Sequence, residues 1–135
     1  MAEDREQAVA LLQEAGLTTI GIPADLAGFF VARAPHVIGV VGLEYYGPFA
    51  LLRSLAVAPP ERGRGLGRRL VARALESARE RGAREVYLLT VTAREYLARL
   101  GFTEVRREDV PAAVRESREF RETCPLSAVV MRKPI

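Results

Sequence analysis

The residues most able to do chemistry in this chain lie in one short stretch of glycine and arginine. The stretch joins an apolar run to an amphipathic pattern and contains Arg62, Gly63, Arg64, Gly65, Leu66, Gly67 and Arg68. Glycines leave the backbone open, so that several main-chain N–H groups can point at one anion. Arginines add positive charge, and a guanidinium can grip phosphate oxygens through two donors. The composition of the stretch therefore predicts a diphosphate site, with a tight turn carrying solvated arginines as the alternative.

Other glycine-rich motifs fit this stretch less well. A Walker P-loop ends in Gly-Lys-Ser or Gly-Lys-Thr, and the stretch contains no lysine, which disfavours nucleoside triphosphate hydrolysis. The dinucleotide fingerprint G-x-G-x-x-G, begun at Gly63, needs glycine at position 68, where this chain has Arg68. RNA-binding segments of this composition are disordered or repetitive, whereas this one leads directly into a helical pattern.

The elements that must position the stretch follow from apolar periodicity. Helical spacing predicts helices over residues 5–15, 66–81 and 93–100. Apolar runs predict strands over residues 29–33, 37–44, 50–58, 85–90, 102–105 and 127–132. Residues 106–125 are charged and predict a loop with a short helix after Pro111. The strand–helix–strand unit over 50–90 predicts a parallel pair at the centre of a mixed α/β sheet, because such crossovers carry a helix.

Composition excludes several classes of protein. The chain has 135 residues, of which 49 % are hydrophobic and 27 % charged, with a net charge of +3. These values indicate one folded domain over residues 1–135 and are too weakly basic to indicate a nucleic-acid partner. No apolar run approaches the roughly 20 residues that span a bilayer and no secretory signal opens the chain, so we expect a cytoplasmic protein without a membrane partner.

Single residues of two reactive types limit the chemistry further. Cys124 is the only cysteine, which excludes an internal disulfide and a thiolate metal cluster. His36 is the only histidine, and it lies in a predicted hairpin turn between two strands. We therefore expect no metal site and no nucleophile–histidine pair.

The glycine–arginine turn also matches a family pattern. Arg62, Gly65 and Gly67 satisfy Arg/Gln-x-x-Gly-x-Gly/Ala, and the segment resembles the acyl-CoA-binding turn of the GCN5-related N-acetyltransferases. The blocks ALLRSLAVAP, LLTVTAREYLARLGF and CPLSAVVMRK resemble one subgroup, the small arsenic-resistance N-acetyltransferases. That subgroup is itself similar to short amino-acid N-acetyltransferases of the acetylglutamate-synthase type. The resemblance implies a single domain with a mostly antiparallel sheet, flanked by helices, whose central parallel strands splay apart.

The resemblance also implies roles for particular residues, with acetyl-CoA as cosubstrate. Backbone at Leu55, Ala56 and Val57 would pair with the pantetheine arm, and the Leu55 N–H would polarise the thioester carbonyl. Amides from Arg62 to Arg68 would hold the pyrophosphate. Thr90 falls where many relatives have a CoA-contacting asparagine. A neutral amine would then attack the thioester directly, with proximity and a base assisting.

Two catalytic positions depart from the pattern of the relatives. Their general-acid tyrosine corresponds to Leu97, and Tyr96 lies one residue earlier, about 100° away around a helix. Tyr96 is therefore either the acid or a packing residue. Their glutamate base corresponds to Leu51. Glu44 is the best replacement, and its alternative role is an ion pair with Arg53.

Arg53 interrupts an apolar strand and bears on the acceptor. By the period of two it is expected to share a face with Leu55 and Val57, where a guanidinium would suit a carboxylate on the substrate. We therefore favour a small amino-acid-like amine over a polyamine, with an ion pair at a strand edge as the alternative role of Arg53. Cys124 receives no nucleophilic role.

The start of the chain and the function classes leave further alternatives open. Relatives open with an edge strand, and residues 1–4 are too short and acidic for one, so either the strand is absent or a partner subunit covers the edge in a homodimer. An acidic cleft without a positive partner for a carboxylate would instead favour an acetyltransferase that acts on protein amino groups. An acyl-CoA-binding regulatory module without turnover would fit the missing tyrosine and glutamate.

Overall fold

The structure, a computed structural model, describes residues 2–19, 21–117, 120 and 128–135. Within these residues it contains four α-helices: α1 (Ala2–Glu14), α2 (Leu66–Glu80), α3 (Arg94–Arg99) and α4 (Ala112–Arg115). It also contains six strands: β1 (Phe29–Arg33), β2 (Val37–Tyr46), β3 (Phe49–Val57), β4 (Glu85–Thr90), β5 (Thr103–Val105) and β6 (Val129–Pro134). The elements agree with the sequence predictions to within a few residues, and among the described residues no helix is long and apolar enough to cross a membrane.

The six strands form one mixed sheet in the order β1-β2-β3-β4-β6-β5. The β3–β4 pair is parallel, and the other pairs are antiparallel. The crossover between the parallel strands carries α2, as a connection of this kind requires. The predicted α/β fold with a central parallel pair is therefore confirmed.

Helices cover both faces of the sheet. The apolar stripe of α2 buries Leu70, Val71, Ala74, Leu75 and Ala78 against one face, where Leu97 of α3 joins the same core. On the other face, α1 packs Leu12 against Val40 and Ala56. α4 packs Val114 in a separate cluster beside Leu51 and Tyr87. The sheet is thus buried on two sides, which explains the continuous apolar character of its central strands.

The central parallel strands separate after a short contact. Phe49, Ala50 and Leu51 pair with Glu85, Val86 and Tyr87, and the register ends there. Beyond that point β3 continues beside β2, while β4 pairs with β6 along its whole length. The remaining parts of β3 and β4 therefore diverge and leave a cleft in the middle of the sheet.

A bulge in β3 changes which side chains face which layer. Val40 of β2 pairs with Ala56 and Gly42 pairs with Arg53, so three steps along β3 oppose two along β2. Ser54, inside the bulge, has φ of 58°, in the left-handed region. The expectation that Arg53 shares a face with Leu55 and Val57 is therefore wrong, because the extra residue reverses the alternation. Arg53 lies on the face of α1 and α4, and Leu55 and Val57 pack against the α2 side.

The sheet has an open edge at β1. Among the described residues no strand precedes α1, which already begins at Ala2, and β1 is paired only with β2. The described residues therefore form no further strand beside β1.

Candidate active site

A cavity of about 590 Å³ occupies the cleft between the diverging strands. Its walls come from Leu52 to Val57 on β3 and from Leu88 to Ala93 at the end of β4. The segment from Ala15 to Thr18, which follows α1, closes one side. The charged members of its described lining are Arg53 and Arg62, and no aspartate or glutamate is among them. The cleft therefore presents apolar walls with positive charge, which suits a ligand that carries an anionic group.

A second cavity of about 660 Å³ adjoins the first at the glycine–arginine turn. It shares Leu55, Ala56, Val57, Arg62 and Ala93 with the cleft. Its other lining residues come from the turn and from α3: Glu61, Gly63, Gly65, Leu66, Gly67, Arg68, Tyr96, Arg99 and Leu100. The sequence-predicted cofactor residues on β3 and the turn are thus brought to two connected cavities, with the exception of Arg64.

The glycine–arginine turn has the backbone conformation and the charge that would suit an anion at a helix start. Gly65 is the N-cap of α2 with φ of 80°, a left-handed conformation that favours glycine, and it supplies no side-chain hydrogen bond to the helix. The first turn of α2 contains no acidic residue and carries Arg68 and Arg69 near the positive end of the helix dipole. Cations there are unfavourable by themselves, so an anion bound at the turn offsets both the open N–H groups and the arginine charges.

The two arginines that flank Gly63 lie differently. Arg62 Nε donates to the Val57 carbonyl oxygen at 3.0 Å, which holds this guanidinium at the end of β3 between the two cavities. The side chain of Arg64 is 72 % exposed and lies 3.7 Å from the Glu61 carboxylate, an ion pair of little strength. Arg62 is therefore preorganised at the turn, and Arg64 is a solvated cation at its rim.

Tyr96 lies over the turn rather than deep in the cleft. A Cβ built on Gly67 would be 2.7 Å from the Tyr96 hydroxyl, so the absence of a side chain at Gly67 permits this approach. Tyr96 lines the second cavity, whereas its neighbour Leu97 is buried and lines the first. The hydroxyl of Tyr96 is thus available to a ligand at the turn, and its role as general acid stays a prediction.

Thr90 ends β4 on the opposite wall of the cleft. Its Oγ1 accepts a hydrogen bond from the Ala93 N–H at 2.9 Å, just before α3 begins. The hydroxyl proton is still free to be donated, since the bond to Ala93 uses an oxygen lone pair. Thr90 therefore supports the start of α3 and can also contact a ligand in the cleft.

Glu44 and Arg53 form one cluster at the side of the cleft opposite α2. Arg53 Nη1 donates to Glu44 Oε2 at 2.8 Å, and the exposed fractions of the two side chains are 1 % and 24 %. Tyr46 donates from its hydroxyl to Glu44 Oε1 at 2.6 Å. The alternative of an ion pair between Glu44 and Arg53 is therefore observed. Both carboxylate oxygens already accept hydrogen bonds, so a proton taken up by Glu44 must compete with these donors.

Sequence reasoning missed three members of this cluster. Tyr46 lies two residues after Glu44 on the same strand, and the period of two would have placed both on one face. Phe29 of β1 lies beneath Arg53, whose guanidinium carbon is 5.9 Å from the ring centre. Ser54 carried no sequence signal, because nothing in the run LLRSLAV marks the bulge. Cys124 and its neighbours in residues 121–127 lie outside the described residues.

The GNAT N-acetyltransferase fold is defined by a mixed sheet whose central parallel strands diverge, with a glycine-rich turn and a helix following the first of these two strands. Residues 3–102 match the acetyltransferase (GNAT) family. The chain therefore belongs to the acetyltransferase (GNAT) family, and the family predicted from the sequence is confirmed.

Two proteins with similar sequences are named acetyltransferases. The chain is 36 % identical over 101 residues to an amino-acid acetyltransferase of Mycobacterium tuberculosis, which covers 71 % of this chain and 55 % of the relative. It is 36 % identical over 88 residues to an uncharacterized N-acetyltransferase of Chlorobaculum tepidum, covering 64 % and 56 % of the two proteins. The chain thus spans just over half the length of the curated relatives it matches.

Solved structures show the same fold. The N-acetylglutamate synthase of Neisseria gonorrhoeae, crystallised with coenzyme A and N-acetyl-glutamate, matches 99 % of this chain and 33 % of its own with a TM-score of 0.85 and 19 % identity. A Mycobacterium tuberculosis protein crystallised with CoA matches 100 % of this chain and 98 % of its own with a TM-score of 0.77 and 23 % identity. At these identities the likeness establishes the fold.

Proposed function

We propose that the protein transfers the acetyl group of acetyl-CoA to the amino group of a small amino-acid-like molecule, by direct attack in a ternary complex. The observation that carries this proposal is the cleft itself. It opens between β3 and β4, ends at an anion-binding turn, and is lined by two arginines and by no described carboxylate. A polyamine or a protein lysine would instead favour acidic side chains in the lining of the cleft.

The geometry of the two cavities suggests which residues would contact each part of acetyl-CoA. Pantetheine would lie along Leu55 to Val57 in the gap that β4 leaves, and the pyrophosphate would meet the amides from Arg62 to Arg68. The bulge takes Leu55 out of the β2–β3 register, which favours its N–H as the donor to the thioester carbonyl. Thr90 would contact the same arm from the opposite wall.

The acceptor would lie on the α1 side of the cleft, beside Arg53. The guanidinium supplies positive charge for a carboxylate of the acceptor. Primary amines are mostly protonated at neutral pH, so a base must remove a proton before or during attack. We assign this step to Glu44 acting through water, because Glu44 contacts Arg53 but is not among the residues that line either cavity. We assign the protonation of the leaving thiolate to Tyr96.

A relative supports the class of acceptor. The protein from Mycobacterium tuberculosis that shares 36 % identity is named an amino-acid acetyltransferase. The narrower resemblance to arsenic-resistance N-acetyltransferases extends the proposal to arsenical and phosphinic amino-acid analogues. Both classes carry an oxyanion that the two arginines of the cleft would attract.

A thiol-release assay tests the proposal. The protein is incubated with acetyl-CoA and single amino acids, phosphinic and arsinic analogues, polyamines or peptides, and free CoA thiol is measured with a disulfide reagent. The protein has one cysteine, so its own contribution is at most one thiol per chain. Release with amino acids but not with polyamines supports the proposal, and release only with peptides would assign the chemistry to protein amino groups.

A second candidate function is an acyl-CoA-binding regulatory module. It is favoured by Leu51 and Leu97, which occupy the positions of the catalytic glutamate and tyrosine of relatives, and both are buried. Calorimetry separates the two candidates, since a module of this kind binds acetyl-CoA and releases no thiol with any amine.

The open edge at β1 supports a homodimer as part of the proposal. An uncovered edge strand presents unpaired N–H and C=O groups, which a second subunit can cover. Light scattering at several protein concentrations measures the mass of the particle, and a monomer at all concentrations would contradict this part.

A further inference from the structure

Ser54 is a strained residue in the wall of the cleft. Its φ of 58° lies in the left-handed region, although it is neither glycine nor asparagine and stands inside a strand. A glycine would adopt this conformation without strain. The chain nevertheless has a serine side chain at this position, at a cost in backbone strain. Because strain of this kind concentrates at functional sites, the Ser54 hydroxyl is a candidate for a role in the cleft.

The hydroxyl is oriented by its neighbour. Arg53 Nε donates to Ser54 Oγ at 3.0 Å, and Nη1 of the same guanidinium donates to Glu44 at 2.8 Å. The bond from Nε uses a lone pair of Oγ, so the hydroxyl proton points away from the guanidinium. No acceptor for that proton lies among the described residues, and Ser54 lines the cavity of the cleft. A donor polarised by a cation thus faces the ligand space.

We propose that Ser54 binds the acceptor, donating a hydrogen bond from its hydroxyl to the carboxylate or equivalent oxyanion of the substrate. The inference rests on the proposed function and deepens it. Arg53 is held by Glu44 and is almost fully buried, so the charge of the guanidinium reaches the acceptor mainly through this hydroxyl. Ser54 is thereby a specificity-determining residue for acceptors that carry an anionic group next to the amine.

Two substitutions separate the hydroxyl from the backbone strain. Ser54→Ala removes the hydroxyl and keeps a side chain in the left-handed conformation, whereas Ser54→Gly removes both. Both variants are expected to raise the KM of the best amino acid about tenfold and to leave the KM of acetyl-CoA unchanged, since one hydrogen bond to a charged group is lost. Ser54→Gly is expected to melt roughly 2 °C above Ser54→Ala, because the strain is relieved.

A matched substrate pair identifies the group that Ser54 contacts. The best amino acid is compared with the amine that has the same side chain and no carboxylate. For both variants the preference for the amino acid, measured as a ratio of kcat/KM values, is expected to fall about tenfold. Repeating Ser54→Ala in an Arg53→Lys background tests whether Ser54 acts only by positioning Arg53. A further tenfold fall in the preference for the amino acid supports direct contact between Ser54 and the carboxylate, and no further fall would overturn the proposed contact.

The outcomes distinguish the two proposals. If the protein acetylates an amino acid and the Ser54 variants keep the wild-type KM and preference, the proposed function stands and the role of Ser54 is wrong. If the wild-type protein acetylates no amino acid or analogue, the proposed function fails, and the assignment of Ser54 to the acceptor fails with it.

Discussion

Replacing Arg53 with alanine tests the structure and the proposed acceptor site together. The Arg53 side chain is 1 % exposed and donates to Glu44 at 2.8 Å and to Ser54 at 3.0 Å. Removal leaves Tyr46 as the remaining hydrogen-bond donor to Glu44 among the described residues and opens a gap above Phe29. The substitution therefore removes a buried cation, its hydrogen bonds and its contact with an aromatic ring.

The size of the effect on stability follows from burial. Removing one member of a fully buried ion pair costs about 3–5 kcal/mol, and the cost here is lower, about 2–3 kcal/mol, because Glu44 remains 24 % exposed and can be hydrated. For a domain of this length the melting temperature then falls by about 7–10 °C. In kinetics, the KM of the amino-acid acceptor is expected to rise at least about tenfold, with the KM of acetyl-CoA unchanged.

Thermal melting and steady-state kinetics on the same preparations measure both effects. Arg106→Ala is the matched control, because Arg106 pairs with Asp109 at 3.1 Å and the two side chains are 76 % and 54 % exposed. An exposed pair contributes less than about 1 kcal/mol, so this variant is expected to melt within about 3 °C of the wild type. An Arg53→Ala protein that melts like the wild type would refute the buried pair, and an unchanged acceptor KM would refute the substrate role.

Three further predictions concern the cofactor turn, the acid and the pH dependence. Gly65→Val is expected to abolish acetyl-CoA binding in calorimetry, whereas Gly47→Val, at another glycine with positive φ and open surroundings, keeps the affinity; equal affinity in both would contradict the anion site. Tyr96→Phe is expected to lower kcat at least about tenfold, and an unchanged kcat with weaker CoA binding would assign the hydroxyl to the cofactor instead. Burial, and then the hydrogen bond to Glu85, raise the pKa of Tyr87. The folded state therefore favours the neutral phenol, and the stabilisation that Tyr87 contributes is present below about pH 10 and is lost above it. The melting temperature is expected to fall between about pH 9 and 11 in the wild type, and Tyr87→Phe should remove the part of this fall that is due to Tyr87.

Local pattern was sufficient for the helices and strands and for the position of the glycine–arginine turn. The strand over Glu85–Thr90 and the start of α2 at Leu66 agree with the apolar periodicity, because each depends on residues within a few positions of one another. The glycine–arginine spacing before α2 is equally local, so a turn could be predicted at the strand-to-helix junction. The resemblance to the family was recognised from three sequence blocks, ALLRSLAVAP, LLTVTAREYLARLGF and CPLSAVVMRK, in this order along the chain.

The acceptor side of the cleft was decided by tertiary structure. Arg53 was assigned to the wrong face because one extra residue at Ser54 reverses the alternation of side chains, and the sequence does not mark the bulge. The partners of Glu44 depend on the register between β2 and β3, and the position of Tyr96 over Gly67 depends on how α3 packs beside α2. The sequence by itself thus determined the fold, and it predicted where coenzyme A would bind. The arrangement of the acceptor groups required contacts between distant residues, which pattern within one segment cannot specify.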